Sequence, residues 1–223
     1  MTHFSEELAK LKETLLAMAS HAESAVARAM RALAERDDTI AQAVIDDDAI
    51  LDQFEIEIDD IAIHLLAKAP LATELRLITV AMKISQNLER VGDEATKIAK
   101  RARDLSQEPP LKFAVPIAEL ADLAVPMLKA SLDAFVNKDP AAARALIPQD
   151  KEVDALNKSI HRQLVDQMVE NHETISRCLD LMVVAKSLER IADHAKNVAE
   201  EVVYLCEAED IRHQAAIAHS SRP

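Results

Sequence analysis

Leu8, Leu11, Leu15, Met18, Ala22, Ala25 and Ala29 recur every three or four residues. That period returns side chains to one face of an α-helix. Ile78, Ala81, Ser85, Leu88, Gly92, Ala95 and Ala99 repeat it further along. Breaks separate such segments: "KAPLATE" at Pro70, "SQEPPLK" at Pro109 and Pro110, "NKDPAAA" at Pro140, and polar stretches near Asp37 and His172. The pattern predicts six helices, over 5–35, 38–68, 71–106, 112–138, 140–170 and 173–207. Each runs to about 40–50 Å at the helical rise. Asp139 before Pro140 reads as an N-cap with proline at the first helical position. Early acids after Ser5 and Thr73 mark two further helix starts. The double proline divides the chain into 1–108 and 109–207, three helices each, with a tail at 208–223 expected to fray.

The two parts share a text. "NLERVGDEATKIAK" (Asn87–Lys100) returns as "SLERIADHAKNVAE" (Ser187–Glu200), and Asp46–Asp59 echoes Pro148–His161 more weakly. Amphipathic helices of this kind bury their stripes on partners. The fold expected is therefore all-α, two pseudo-symmetric three-helix bundles made of six long helices. Composition agrees: one glycine, no tryptophan and 2% aromatics in a chain that is 49% hydrophobic. A net charge of −13 argues against nucleic acid, which needs a basic stripe. No apolar run is long enough to span a membrane. Two cysteines, Cys178 and Cys206, form no disulfide framework, and the first residues hold no apolar signal core. A cytoplasmic protein is the expectation.

The repeated text carries the chemistry. Glu89 and Asp93 lie four apart on one helix face, and Glu189 and Asp193 repeat them. Like charges at this spacing repel, and on the flank of an apolar seam they need an arginine, a lysine or a metal ion as partner. Carboxylates suit Mg²⁺ or Mn²⁺, and iron or Zn²⁺ also accept them. Glu55 and Asp59 form another such pair, preceded by Asp48 and Asp52; in the second half Asp150 and Asp154 persist, beside Asn157 and His161. Asn197 and Glu200 extend the second stripe as further oxygen donors, where the first half has Lys97 and Lys100. Arg90 and Arg190 follow the glutamates, with salt bridges to neighbouring helices as their expected role. The single glycine, Gly92, suggests close approach of another helix.

"LERVGDEATKIAK", "LERIADHAKNVAEEV", "LAKAPLATELRLITVAMKISQNLER" and "DKEVDALNKSIHRQL" together resemble the PhoU family over about Phe4 to Leu205. The resemblance implies paired helical bundles whose Glu-x-x-x-Asp motifs bind iron, zinc, Mg²⁺ or Mn²⁺. It implies Glu89 and Asp93 for one site, and Glu189 and Asp193 for the other. It also implies a non-enzymatic negative regulator of phosphate uptake and phosphate-starvation signalling. Such a regulator links the ATPase subunit of the phosphate transporter to a sensor histidine kinase at the inner face of the membrane, and a homodimer fits the family. Lys97, standing where the second repeat has Asn197, departs from a symmetric pair of sites. Two other readings remain: a carboxylate-bridged di-iron oxidase, whose Glu-x-x-His pairs are missing here, and a metal-free helical interaction module.

Overall fold

The computed structural model describes residues 3–68 and 71–212, all helix, turn or irregular chain. Eight α-helices run in order: α1 (His3–Glu35), α2 (Asp38–Asp46), α3 (Asp48–Leu66), α4 (Ala72–Ser106), α5 (Ile117–Asn137), α6 (Pro140–Leu146), α7 (Asp150–Glu170) and α8 (Ile175–Glu207). The expected second and fifth helices are each broken. At Asp47 the chain passes from α2 into α3, and Arg28 of α1 holds the Asp47 carboxylate at 2.7 Å. Pro148 has no N–H to give to a continuous helix, so Ile147–Gln149 tightens into a 3₁₀ turn before α7. With each broken helix taken as one element, the fold is two three-helix bundles, α1, α2–α3, α4 and α5, α6–α7, α8.

Caps follow local chemistry. Asp37 accepts from the Thr39 and Ile40 amides, and Asp139 from those of Ala141 and Ala142, with Pro140 at the first turn as expected. Thr73 is not a cap; α4 opens after Leu71, which offers no side-chain hydrogen bond. The expected start of the fourth helix at 112 moves to Ile117, because 109–116 is irregular chain that bends at 112–113 and packs Leu111, Phe113 and Val115 onto the core. Helix α8 ends at Glu207, and in the irregular chain beyond it Arg212 pairs with Asp210 at 2.6 Å and Glu201 at 3.1 Å. Residues 213–223 lie outside the described residues, as does the break at Pro70.

α4 and α8 form the middle of the molecule because each carries two buried seams. One holds the anticipated Ile78, Ala81, Ser85, Leu88, Gly92, Ala95 and Ala99, all buried. The other, Val80, Ile84, Asn87, Val91, Glu94, Ile98 and Arg101, mates with Asp180, Val184, Ser187, Ile191, His194, Val198 and Glu201 of α8. A helix apolar on so much of its circumference is a central one. The two run antiparallel: Lys83 pairs with Glu201, His194 Nδ1 lies 2.9 Å from Asn87 Oδ1, and Arg101 reaches Asp180 at 3.1 Å. The register meets its own repeat at Val91 and Ile191, where a pseudo-two-fold axis crosses the seam.

Glu94, 4% exposed, is a buried ion of this seam, as Glu201 is at its far end. It accepts from Ser187 Oγ at 2.8 Å, Arg190 at 3.1 Å and Lys97 at 2.9 Å. Burial pushes its carboxyl up, but the hydrogen bonds from Lys97, Ser187 and Arg190 outweigh this and hold it below the usual range. Removing such an acceptor strands its donors. Glu94→Ala is expected to cost about 2–3 kcal/mol in urea unfolding, and Glu94→Gln less.

Gly92 faces Leu51 of α3: an added Cβ would lie 2.2 Å from Leu51 Cδ1. Residues at the matching positions of the second half are Val153 and Ala192, a smaller side chain opposite a larger one. Gly92→Ala is expected to lower the melting temperature by crowding Leu51, at a cost of about 1–3 kcal/mol before the helix-propensity gain of about 1 kcal/mol is subtracted. Adding Leu51→Val, the second-half pair, is expected to restore it; a double variant less stable than Gly92→Ala alone would contradict this packing.

Candidate metal centre

The α3–α4 and α7–α8 pairs present matching acidic faces. In the first half, Asp52 and Glu55 of α3 lie across from Glu89 and Asp93 of α4. The Glu89 carboxyl is raised above its ordinary value by burial first, then by Asp93; Arg90 pulls it back, and Glu55 and Asp52 push it further up. Glu55 is raised in the same way, by burial and then by Asp59 and Asp52. Glu55 and Asp52 thus act on Glu89 across the helix pair, while Asp59 acts on Glu55 within α3.

The second half repeats the arrangement with less relief. Asp193 is pushed up to about 6 by burial and then by Glu189, Asp150 and Asp154, against the pull of Lys196. Asp150, Asp154, Asn157 and His161 of α7 stand at the register of Asp48, Asp52, Glu55 and Asp59. Lys196 Nζ holds one oxygen of Asp150 at 2.7 Å, while Asp150 Oδ1, Asn157 Oδ1 and His161 Nε2 are buried without a hydrogen-bond partner. Glu189, 9% exposed, keeps an ion pair with Lys186 at 2.5 Å but no well-directed hydrogen bond. Orphaned buried donors and acceptors are rare in folded proteins. Three on one helix, beside two repelling carboxylates, form a surface that calls for a cation. Among the described residues, no three carboxylate, imidazole or thiol side chains are drawn together closely enough to hold a metal ion as they stand. The residue types and the orphaned atoms therefore fit an ion; the side-chain spacing is that of the repelling state.

Asn197 lines a cleft with Asp193, its Nδ2 donating to Asn87 Oδ1 across the seam at 3.2 Å, and Glu200 lines another with Asp150 and Lys196. Arg190 crosses to Glu94 of α4, as its expected role required, but Arg90 folds back onto Glu89 at 3.3 Å within its own helix. A shallow cleft over the pseudo-two-fold axis is lined by four equivalent pairs: Arg90 and Arg190, Asp93 and Asp193, Glu94 and His194, Lys97 and Asn197. Of the two acidic faces, Asp93 and Asp193 alone also line this axial cleft. Cys178 is buried and Cys206 half-buried.

The state of Asp193 has a measurable sign. A carboxyl raised in the folded protein binds its proton more tightly there than when unfolded, so its contribution is complete below about pH 4 and is lost as pH rises through about 6. In chelator, Asp193→Asn is expected to gain on the native chain between those values and to be the more stable above them, by on the order of 1 kcal/mol after solvent screening. Parallel melting curves from acid to neutral pH would refute the mutual repulsion.

Comparison with known proteins gives these faces a setting. The PhoU domain model matches twice, over residues 15–102 and 117–202. A Rhizobium meliloti protein named phosphate-specific transport system accessory protein PhoU homolog is 40% identical, over 92% of this chain and 87% of its own length. The crystal structure of PhoU from Pseudomonas aeruginosa superposes with a TM-score of 0.90 at 38% identity, covering 93% of this chain and all of that one. That of the phosphate transport system regulatory protein PhoU from Streptococcus pneumoniae gives 0.85 at 26% identity, over 94% and 99%. With both halves matched and the whole fold shared, the chain belongs to the PhoU family.

Proposed function

We propose that this chain is a regulator of phosphate uptake and phosphate-starvation signalling, a helical adaptor whose two acidic faces hold metal ions. Relatives named as accessory or regulatory proteins of phosphate transport support the role. The observation that carries the metal reading is the duplicated meeting of acids: Glu89 and Asp93 with Asp52 and Glu55, and Glu189 and Asp193 with Asp150 and Asp154. A divalent ion or iron at each face replaces repulsion by attraction. Because Glu94 and Arg190 directly follow Asp93 and Glu189, what is bound at one face bears on the other through their ion pair.

The adaptor docks through helical surfaces on the transporter ATPase subunit and the sensor histidine kinase. It acts as a homodimer beside the membrane through these partners. No helix among the described residues is long and apolar enough to cross a membrane. An oxidase reading lacks its ligands, since Gly92 and Ala192 stand three residues after Glu89 and Glu189, where a Glu-x-x-His site needs histidine.

The test is elemental analysis of the purified chain, with melting curves taken as Mn²⁺, Zn²⁺ or Fe²⁺ is added. Native protein is expected to retain metal and to melt higher with added ion. Glu89→Gln with Asp93→Asn, and Glu189→Gln with Asp193→Asn, are each expected to remove part of the bound metal and of the shift. Full metal content in the quadruple variant would sink the reading.

A further inference from the structure

We propose that the second half carries a binding site for a compact anion bearing two or more phosphoryl groups, in the cleft between α4, α6, α7 and α8. The cleft has a volume of about 860 Å³. Lys83 of α4, Arg144 of α6, Lys151 of α7, Lys196 of α8 and Arg212 beyond it line the walls, with three carboxylates, Asp150, Glu200 and Glu201. Five cations gather here in a chain of net charge −13, all but Lys151 paired with Asp150 and Glu201 in the cleft or with Glu207, Glu209 and Asp210 outside its lining.

The acids lie beneath and the cations above. Glu201, with a 6% exposed side chain, takes Lys83 and Arg212 at 3.1 Å, and both of those remain 37% exposed. Asp150 is 10% exposed beneath Lys196 at 31%. Arg144 also reaches Glu207 and Glu209 outside the cleft, and Lys151 is exposed with no ion pair among the described residues. Buried carboxylates of this kind hold cationic side chains in place; Arg212 spends its nitrogens on Glu201 and Asp210, while Lys83, Lys151 and Lys196 keep partly exposed ammonium groups lining the cleft.

The duplicated fold supplies its own control. At the positions of Arg144, Lys151 and Lys196 the first half has Gln42, Ala49 and Thr96, and opposite Lys83 in the repeat stands Val183. The first half builds the same helices without these charges. Thr96 Oγ1 holds Asp48 at 2.9 Å as Lys196 Nζ holds Asp150 at 2.7 Å. A neutral hydroxyl thus serves the architecture at this position, and the charge of Lys196 is surplus to it. Glu200, beside Lys196 and Arg212, requires a ligand with enough charge to compete. A single phosphoryl group would fill a small part of this volume; several in a row fit both the space and the spread of cations.

The cleft shares Asp150 with the second acidic face, so the assay runs in chelator to separate anion binding from any metal. Isothermal titration of the full chain uses sodium tripolyphosphate, magnesium-free ADP, and sulfate at matched ionic strength. Binding of tripolyphosphate above the sulfate control is expected, falling as salt rises. Tighter binding of ADP assigns the site to nucleotides, and tighter binding of tripolyphosphate to inorganic chains. Arg144→Gln, Lys151→Ala and Lys196→Thr together copy the first half onto the second and are expected to weaken binding by about tenfold or more. Lys151→Ala alone, at an exposed position, reads the same loss on a smaller scale without disturbing the fold. No binding of either probe beyond the sulfate control, or unchanged affinity in both variants, overturns the proposal.

Discussion

The buried carboxylate of Glu94 sets the geometry on which both halves depend. A charge this deep is tolerable only with its donors in place, and two of the three come from α8: Ser187 and Arg190. The apolar residues of the seam would accept neighbouring registers; an acid with fixed donors is far less permissive. Holding α4 and α8 in this register places Val91 over Ile191, and with them the two acidic motifs on either side of one axis. Move the seam by a turn and Asp93 and Asp193 no longer share a cleft.

Stability and function pull in different directions around that seam. Inside it, every charge is matched. On the faces turned toward α3 and α7, carboxylates are set against carboxylates, and Asp193 holds its proton up to about pH 6. Such local conflict in an otherwise consistent structure is where function is expected. The surrounding helices are rigid enough to sustain it, since Leu88, Val91, Leu188 and Ile191 beside the motifs are fully buried.

The sequence made much of this legible, and the misses have physical reasons. Helical class and the twofold division follow from periodicity and from the copied motif, because both are local. Glu89, Asp93, Glu189 and Asp193 could be singled out by their repetition. Glu94 could not, because its neighbours make it look like one more acid of a solvated stripe. The signal was present in Val80, Ile84, Val91 and Ile98, a second apolar line that includes it. The kink at Pro148 was readable from proline alone, whereas that at Asp47 depends on Arg28, nineteen residues away. For Asn197 and Glu200, helical spacing fixes a face but not the neighbour it meets: Asn87 for Asn197 and Lys196 for Glu200.

The self-matching register of α4 and α8 bears on how such a chain arises. A lone trio of helices could close this seam on a second copy of itself, each cross-pair then occurring twice and bound to stay identical. Fused into one polypeptide, the two versions are released from each other. Glu94 with Ser187 has gone one way and Asn87 with His194 the other, so that a once-degenerate contact now encodes two different neighbours. Tandem duplication has in this sense given the molecule a left and a right.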